Sequence, residues 1–163
     1  GADLIVTLDA DGQHSPDDVG RVISRLIANH CDVVIGSRLT DHSQWERFPP
    51  LRLLGNLLLT WLTTAAAGAK VTTDSQSGYR AFTRPALENV ELRSDRMAIS
   101  SEIILEVTRT GHRIAEVPIK ATYEDEVSAQ RFFKDPTLIM ALVVSRWAQR
   151  LLPRSREAAC EEP

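Results

Sequence analysis

A short apolar run that ends in two aspartates constrains the fold more than any other stretch of this sequence. Residues 4–8 are rich in β-branched side chains, and Asp9 and Asp11 follow them at once. Such a run predicts a buried strand of a mostly parallel sheet. Gly12 permits a turn, and Ser15 is the predicted N-cap of the next helix. Because open α/β sheets bind ligands at the carboxyl ends of their strands, this turn is a candidate binding edge.

The spacing of the two carboxylates favours a divalent cation at this turn. Side by side without a partner they repel each other, so such pairs commonly hold a cation or face water. Mg²⁺ is bound through one or two carboxylates together with substrate phosphates. A solvated, aspartate-rich turn is the competing interpretation. The buried strand before the turn and the polar Gln13 and His14 within it favour the metal site.

The segment after the turn continues as helix and strand. Residues 15–29 place their apolar side chains on one helical face, with Pro16 at the first helical position. Residues 31–36 are a second apolar strand, so the order predicts a βαβ unit with parallel strands. Arg38 follows this strand at the same edge as the aspartates, where it either binds phosphate or lies on the surface. Residues 40–50 are predicted to form a loop.

The environment of the next predicted helix, residues 51–69, is open to three interpretations. No charge occurs in residues 53–69, a length close to that of a membrane span. The helix could lie in the membrane interface, in the protein core or across a bilayer. We rank the interface first because Arg52, Trp61 and Lys70 can lie at headgroup level. A buried helix ranks second and a span last.

A polar stretch, residues 71–82, is the second candidate site. It turns at Gly78 into a short strand, and its Asp74, Gln76 and Arg80 can bind one another or a ligand. The competing interpretation is an Asp-capped turn with an exposed arginine.

The remaining sequence predicts helices around one strand, in which Pro118 indicates an edge or a bulge. The predicted elements are a helical turn at 84–89, a helix at 100–110, a strand at 113–119, a charged loop at 123–134, an amphipathic helix at 136–152 and a disordered tail at 153–163. The helix at 136–152 either packs on the domain or lies on an anionic membrane surface.

Composition limits the class of protein. The chain has 163 residues, of which 43% are hydrophobic and 25% charged, as is typical of a globular domain. Its formal net charge of -3 argues against a general nucleic-acid-binding protein. Cys31 and Cys160 are the two cysteines, and they indicate a reducing compartment rather than a disulfide framework.

Two motifs resemble family 2 glycosyltransferases. Residues 8–14, Leu-Asp-Ala-Asp-Gly-Gln-His, are similar to the DxD segment of the branch that contains dolichol- and polyprenyl-phosphate sugar synthases. Residues 74–80 resemble the Asp-x-x-Ser-Gly-Phe/Tyr-Arg motif of the same family. The resemblance implies a GT-A fold over residues 1–135, a Rossmann-like, mostly parallel sheet with flanking helices. In that family an amino-terminal, nucleotide-binding half precedes the DxD strand, and that half is missing here, so we expect a carboxy-terminal portion.

The resemblance also implies roles for individual residues. The metal, Mg²⁺ or Mn²⁺, is expected among Asp9, Asp11 and Gln13, with Asp11 also catalytic. The implied ligands of donor or acceptor phosphate are Arg38, Arg52, Arg80, Ser128 and Arg131. The implied acceptor or sugar site comprises Gln76, Ser77, Gly78, Tyr79 and Glu102. Glu102 is also explained as a first-turn acid that the helix dipole favours.

The expected activity is metal-dependent, inverting transfer of a sugar from a UDP- or GDP-sugar to a polyprenyl-phosphate lipid. The protein is expected to bind peripherally to the cytoplasmic face of a membrane. A lipid phosphate attacks through its own oxyanion, whereas a hydroxyl acceptor needs a base, for which Asp74 is the candidate. Two alternatives stay open: a phosphatase of the haloacid-dehalogenase type with Asp9 as nucleophile, and a non-catalytic remnant or interaction module.

Overall fold

The computed structural model describes most of the first 120 residues. The described ranges are 1–10, 12–28, 30–88, 90–94 and 98–120. Within them the chain forms four β-strands and four α-helices. The predictions for Asp11, Ser128 and Arg131, for the helix at 136–152 and for the tail at 153–163 lie outside the described residues.

A four-stranded sheet with the order β1-β3-β2-β4 carries the fold. Its strands are β1 (Leu4–Thr7), β2 (Val33–Ser37), β3 (Arg80–Thr83) and β4 (Ile114–Pro118). β1, β2 and β4 run in one direction, and β3 pairs antiparallel with both β1 and β2. β1 and β2 thus have the predicted relative direction, but a strand from much later in the chain separates them. The mixed α/β architecture confirms the expected GT-A-like fold.

β1 is less buried than its sequence predicts. Leu4, Ile5 and Val6 are only half-buried and Thr7 is exposed, because β3 is the one neighbour that β1 has in the described part of the chain. β2 has neighbours on both sides and is buried along its whole length. Among the described strands β4 lies at the opposite edge, which agrees with the first of the two positions, edge or bulge, predicted from Pro118.

Helices cover both faces of the sheet because side chains alternate along each strand. One face packs on α1 (Val19–Ala28). The buried residues of this core, from the helix and the sheet together, are Val22, Leu26, Val34, Tyr79, Ala81, Val117 and Ile119. The other face packs on α3 (Arg84–Glu88) and α4 (Ala98–Arg109) through Val33, Ile35, Phe82, Ala86, Ile104 and Val107. The three consecutive residues 33–35 of β2 therefore contribute to both cores.

α2 (Pro50–Ala67) buries a mixed polar and apolar face and exposes several large apolar side chains. Its buried residues are Asn56, Leu59, Thr60, Thr63, Ala66 and Ala67. Its large exposed residues are Leu51, Leu54, Leu58 and Trp61. An ordinary surface helix exposes mainly polar residues, whereas α2 exposes large apolar ones and buries three polar ones beside its core contacts. Among the described residues, no helix is long and apolar enough to cross a membrane.

Two neighbouring leucines of α2 provide a matched test of this orientation. Leu59 is 3% exposed and packs in the core between α2 and α4, whereas Leu58 is 53% exposed. Leu59→Ala should lower the free energy of unfolding by about 3 kcal/mol, because it removes buried methyl groups and leaves a cavity. Leu58→Ala should change it little. Urea unfolding of both variants decides the point, and equal losses would contradict this orientation of the helix.

Candidate functional site

The turn that carries Asp9 is held in place by an aromatic residue just before β3. The backbone N–H of Asp9 donates to Nδ1 of His14 at 3.4 Å, and the His14 ring stands edge-on to the Tyr79 ring. The Tyr79 hydroxyl donates to the carbonyl oxygen of Ser15 at 3.1 Å. Tyr79 is fully buried, so it supports the turn from below rather than lining an open sugar site.

Both ends of this turn have the predicted backbone chemistry. Gly12 has a φ of 81°, a conformation that glycine adopts without steric cost. Ser15 accepts a hydrogen bond from the N–H of Asp17, and Pro16 begins a short 3-10 helix that leads into α1. The predicted passage from strand to helix is confirmed.

The carboxylate of Asp9 lies directly against Gly78. A Cβ atom at residue 78 would overlap that carboxylate, so only glycine permits this approach of the two segments. The Thr7 hydroxyl donates to the Gly78 carbonyl oxygen at 2.9 Å and joins the same segments one step earlier. The two motifs found in the sequence therefore meet at the carboxyl end of β1.

Arg38 and Asp74 form a buried, bidentate ion pair beside this contact. Nε and Nη2 of Arg38 donate to the two carboxylate oxygens of Asp74 at 2.7 and 2.9 Å. The backbone N–H of Arg38 donates to the same carboxylate at 3.2 Å. Asn56 on α2 adds a hydrogen bond from Nδ2 at 2.9 Å, and the N–H of Gln76 adds one at 3.3 Å. Five hydrogen bonds from three parts of the chain thus converge on one carboxylate.

These bonds decide the protonation of Asp74. Burial alone would raise the pKa of Asp74, but the charge and hydrogen bonds of Arg38 and the amide of Asn56 outweigh it and hold this pKa below its usual range. A carboxylate that already accepts five hydrogen bonds and has a lowered pKa is a poor proton acceptor. The arrangement therefore disfavours Asp74 as a general base and favours it as the group that orients Arg38.

Arg52 joins the beginning of α2 to the Asp9 turn. Its Nη2 donates to Oε1 of the buried Gln13 at 3.3 Å. Arg52 and Asn56 are four residues apart and so share one face of α2, which directs both toward the candidate site. The structure thus brings Asp9, Gln13, Arg52, Arg38 and Asp74 to one region of the fold, and their roles at a site stay a prediction.

Arg80 is placed differently from the prediction of a phosphate ligand. It is 2% exposed, and its Nε and Nη2 donate to the carbonyl oxygens of Ser77 and Ser75 at 2.8 and 2.9 Å. Burial lowers its pKa to about 10, although the charges of Asp74 and Asp9 oppose the shift. With these contacts Arg80 shapes the loop before β3, because its guanidinium points at backbone oxygens rather than at solvent.

Gln76 and Ser77 are also buried within the loop before β3. Ser77 donates from Oγ to the Gly36 carbonyl oxygen at 2.6 Å. Nε2 of Gln76 donates to Oγ of Ser75 and of Ser101 at 2.9 and 3.0 Å. Both contacts fasten the loop to its surroundings, so this half of the motif acts as a scaffold for Asp74 and Gly78.

Glu102 caps the backbone segment at Arg93 and Ser94, which precedes α4. It is fully buried, and its carboxylate accepts hydrogen bonds from the N–H groups of Arg93 and Ser94 at 2.8–3.2 Å. A sugar-site role for Glu102 is therefore not what its described contacts favour. The first-turn alternative is wrong, because α4 begins at Ala98 and has no acidic residue in its first turn.

Two residues near the ion pair escaped the sequence analysis. Phe48 is buried, and its ring lies 5.6 Å from the Arg38 guanidinium carbon, although the predicted loop is a 3-10 helix at His42–Arg47. Asn56 lies within the helix predicted for residues 51–69 but was not among the candidate site residues. Its spacing of four residues from Arg52 was the signal that could have placed it at the site.

The carboxylate of Asp9 and the amide oxygen of Gln13 are ligands of the type that a hard divalent cation prefers. Asp9 has a side chain 53% exposed, and Gln13, four residues later, has an amide oxygen that accepts a hydrogen bond from Arg52. Carboxylate and amide oxygens, completed by substrate phosphates, are what Mg²⁺ and similar ions prefer. Within the described residues no group of three or more His, Cys, Asp or Glu side chains could hold a metal alone, and Asp11 is not among them.

Acid unfolding tests the ion pair. The ordinary pKa of an aspartate is 3.8, and that of folded Asp74 is lower, so its stabilising contribution is complete above about pH 4 and is lost as the pH falls further. Asp74→Asn leaves Arg38 buried without its partner and should cost about 3 kcal/mol of unfolding free energy at pH 7. The difference in unfolding free energy between Asp74→Asn and the native chain should become smaller below pH 4.

The exposed Asp17→Asn variant serves as the control for that titration. Asp17 lies in the same region of the fold but outside the ion pair. Urea unfolding at several pH values gives both curves. A difference between native chain and Asp74→Asn that stays constant down to pH 2 would contradict the pairing.

Comparison with known proteins agrees with the geometry. The model of the family described as glycosyl transferase family 2 matches residues 1–91. The chain is 41% identical over 127 residues to the UDP-N-acetylglucosamine–dolichyl-phosphate N-acetylglucosaminyltransferase of Methanococcus voltae, which covers 77% of this chain and 50% of the relative. It is 30% identical over 122 residues to the undecaprenyl-phosphate mannosyltransferase of Micrococcus luteus, with 73% and 49% covered.

A third similar protein is the dolichol-phosphate mannosyltransferase of Pyrococcus furiosus, 29% identical over 139 residues, with 81% of this chain and 38% of the relative covered. The chain thus spans about half the length of the first two relatives. It spans less than half the length of the third. The family match covers more than half of the chain and contains Asp9, Arg38 and Asp74. The chain belongs to glycosyl transferase family 2.

Proposed function

We propose that this chain is part of an inverting glycosyltransferase that moves a sugar from a nucleotide-diphosphate sugar to a polyprenyl phosphate. The observation that carries the proposal is the convergence of Asp9, Gln13, Arg52 and the Arg38–Asp74 pair at one edge of a family 2 domain. The printed names of the similar proteins include dolichyl, undecaprenyl and dolichol phosphates, which supports a lipid phosphate as acceptor. Family membership argues against the phosphatase alternative.

On the donor side, Asp9, Asp11 and Gln13 are the proposed ligands of Mg²⁺ or Mn²⁺. Such an ion neutralises the charge that grows on a leaving diphosphate. The exposed carboxylate of Asp9 is available to a ligand from solvent, while the contact with Gly78 limits its movement. The relatives include both a UDP-sugar enzyme and mannosyltransferases, so UDP- and GDP-sugars are both candidate donors.

On the acceptor side, the arginines supply positive charge to a phosphate. Arg52, half-buried at the beginning of α2, is the proposed first contact, and Arg38, whose guanidinium is held in a fixed plane by Asp74, is proposed to face the same phosphate. Ser128 and Arg131 are further proposed phosphate ligands. A polyprenyl phosphate attacks through an oxygen that is already ionised, so the reaction needs no base. That requirement agrees with an Asp74 carboxylate whose lone pairs are occupied.

The outward face of α2 supports a membrane surface as the place of reaction. Leu54 and Trp61 are each 65% exposed, and apolar side chains of this kind insert into the boundary between headgroups and acyl chains. Arg52 lies on the same helix near the candidate site. A lipid whose phosphate remains at headgroup level would meet this arginine there. We propose peripheral binding at the cytoplasmic face.

Nucleotide binding is the direct test of the donor site. We expect Mn²⁺-dependent binding of UDP or GDP, measured by titration calorimetry on the chain in the longest form in which it is encoded. Asp9→Ala and Asp11→Ala should each weaken binding by about 10-fold or more, because each removes a charged oxygen ligand. The exposed Asp17→Asn variant should bind like the native chain.

The result also separates the remaining alternatives. Metal-dependent binding that both site variants lose, followed by transfer of labelled sugar to polyprenyl phosphate, supports the enzyme. Absence of metal-dependent binding of either nucleotide would overturn the donor site and favour the non-catalytic module.

Vesicle binding tests the proposed surface of α2. Leu54→Gln and Leu58→Gln should each weaken binding to phosphatidylcholine–phosphatidylglycerol vesicles by about 10-fold, since each loses the gain of burying one leucine. Ile27→Gln on α1, which replaces another exposed apolar residue, is the matched control and should bind normally. Sedimentation with vesicles gives the affinities. Equal binding by all variants would contradict an interfacial α2.

A further inference from the structure

A carboxylate on β4 anchors the loop that carries Asp74. Glu116 lies opposite Ile35 in the parallel β2–β4 pair. Its Oε1 accepts hydrogen bonds from the Thr72 hydroxyl and from the Thr73 N–H, both at 2.6 Å. The Thr73 hydroxyl lies 3.1 and 3.2 Å from its two oxygens. One side chain from the edge strand therefore collects the polar groups of two consecutive threonines.

The first branch of this network leads to Asp74. The Thr72 hydroxyl donates its proton to Glu116, so its oxygen is left to accept, and it accepts the backbone N–H of Asp74 at 3.0 Å. A carboxylate can only accept, which fixes the direction of both bonds. Glu116 thereby sets the position of the Asp74 backbone through one intervening hydroxyl.

The second branch leads to the segment that carries Arg38. Oγ of Ser37 accepts the N–H groups of Leu39 and Thr40, each at 3.1 Å, and lies 2.7 Å from the Thr73 hydroxyl oxygen. Because the Thr73 proton is directed to Glu116, the Ser37 proton is directed to Thr73. The backbone on both sides of Arg38 is thus fixed by a hydrogen-bond chain that ends on the same carboxylate.

We propose that Glu116 is a positioning residue for the Arg38–Asp74 pair. Its two branches end at the backbones of both partners, and neither branch passes through the pair itself. Loss of the carboxylate would leave the hydroxyls of Thr72 and Thr73 without their common acceptor and would loosen both segments together. The inference deepens the proposed function, on which its kinetic consequence rests, while its structural consequence stands independently.

Hydrogen exchange tests the structural consequence in the chain in its longest encoded form. Glu116→Ala should accelerate exchange at the amides of Thr73 and Asp74 and of Leu39 and Thr40 by about 10-fold or more, since bonds to a charged acceptor are lost. Glu116→Gln retains an oxygen acceptor at the same place and should restore most of the protection. Glu88→Ala, an exposed acid on α3, should have no effect at these amides.

Two milder variants keep the test decisive if Glu116→Ala does not fold. Thr72→Val should expose the Asp74 amide and leave Leu39 and Thr40 protected, whereas Thr73→Val should loosen Leu39 and Thr40 through Ser37. Such a difference between the two variants supports two separate hydrogen-bond branches that both end on Glu116. Unchanged protection at all four amides, or an identical effect of both variants at every amide, would overturn the proposal.

Steady-state transfer provides the second readout. In Glu116→Ala, we expect the KM for polyprenyl phosphate to rise by about 10-fold with the KM for the nucleotide sugar within about twofold, because Arg38 is proposed to face the acceptor. A fall in kcat with both KM values unchanged would indicate only a smaller active fraction and would overturn the positioning role. If the native protein transfers no sugar, the proposed function fails, and the exchange data alone decide the role of Glu116.

Discussion

The buried ion pair between Arg38 and Asp74 is the interaction on which the rest of this structure depends. Removing two charges from water costs several kcal/mol for each ion, and here the cost is offset by hydrogen bonds from the end of β2, from α2 and from the loop before β3. These segments are distant in sequence. Because each must stay in place for the charges to remain satisfied, the pair fixes the relative positions of the elements that form the site.

The unusual polarity of α2 follows from the same requirement. A buried carboxylate needs donors around it, and Asn56 supplies one from the helix. Thr60 and Thr63 extend the polar contacts of this face to Ser75 and Ser101. Where the inner face holds Asn56, Thr60 and Thr63, it has less room for large apolar side chains, and Leu54, Leu58 and Trp61 lie on the outside. The buried charge of Asp74 and the apolar outer surface of α2 are therefore related features of the same helix.

Local patterns predicted the elements well, and tertiary contacts explain where they failed. Nearby sequence determines the helix after the Asp9 turn and its Ser15 cap, so both were predictable. The edge position of β4 was predictable from Pro118 alone. The insertion of β3 between β1 and β2 depends on a pairing across more than seventy residues, for which spacing carries no signal. Arg80 was expected to face a ligand, but only the folded loop shows that its guanidinium binds backbone carbonyls.

The resemblance to a family singled out residues that lie close together in the fold, but it did not predict what each of them contacts. Asp9, Gln13, Arg38, Arg52 and Asp74 do converge. Others, such as Tyr79 and Ser77, belong to the support beneath them. The missing side chain of Gly78 has a consequence for how such a site can change. The Asp9 carboxylate occupies the space that a side chain at residue 78 would need, whereas the Arg38–Asp74 pair is held by other contacts, among them the hydrogen bond from Asn56. A methyl group added at residue 78 would displace the Asp9 carboxylate and leave the contacts of the Arg38–Asp74 pair in place, so a change in one loop can alter the two clusters separately.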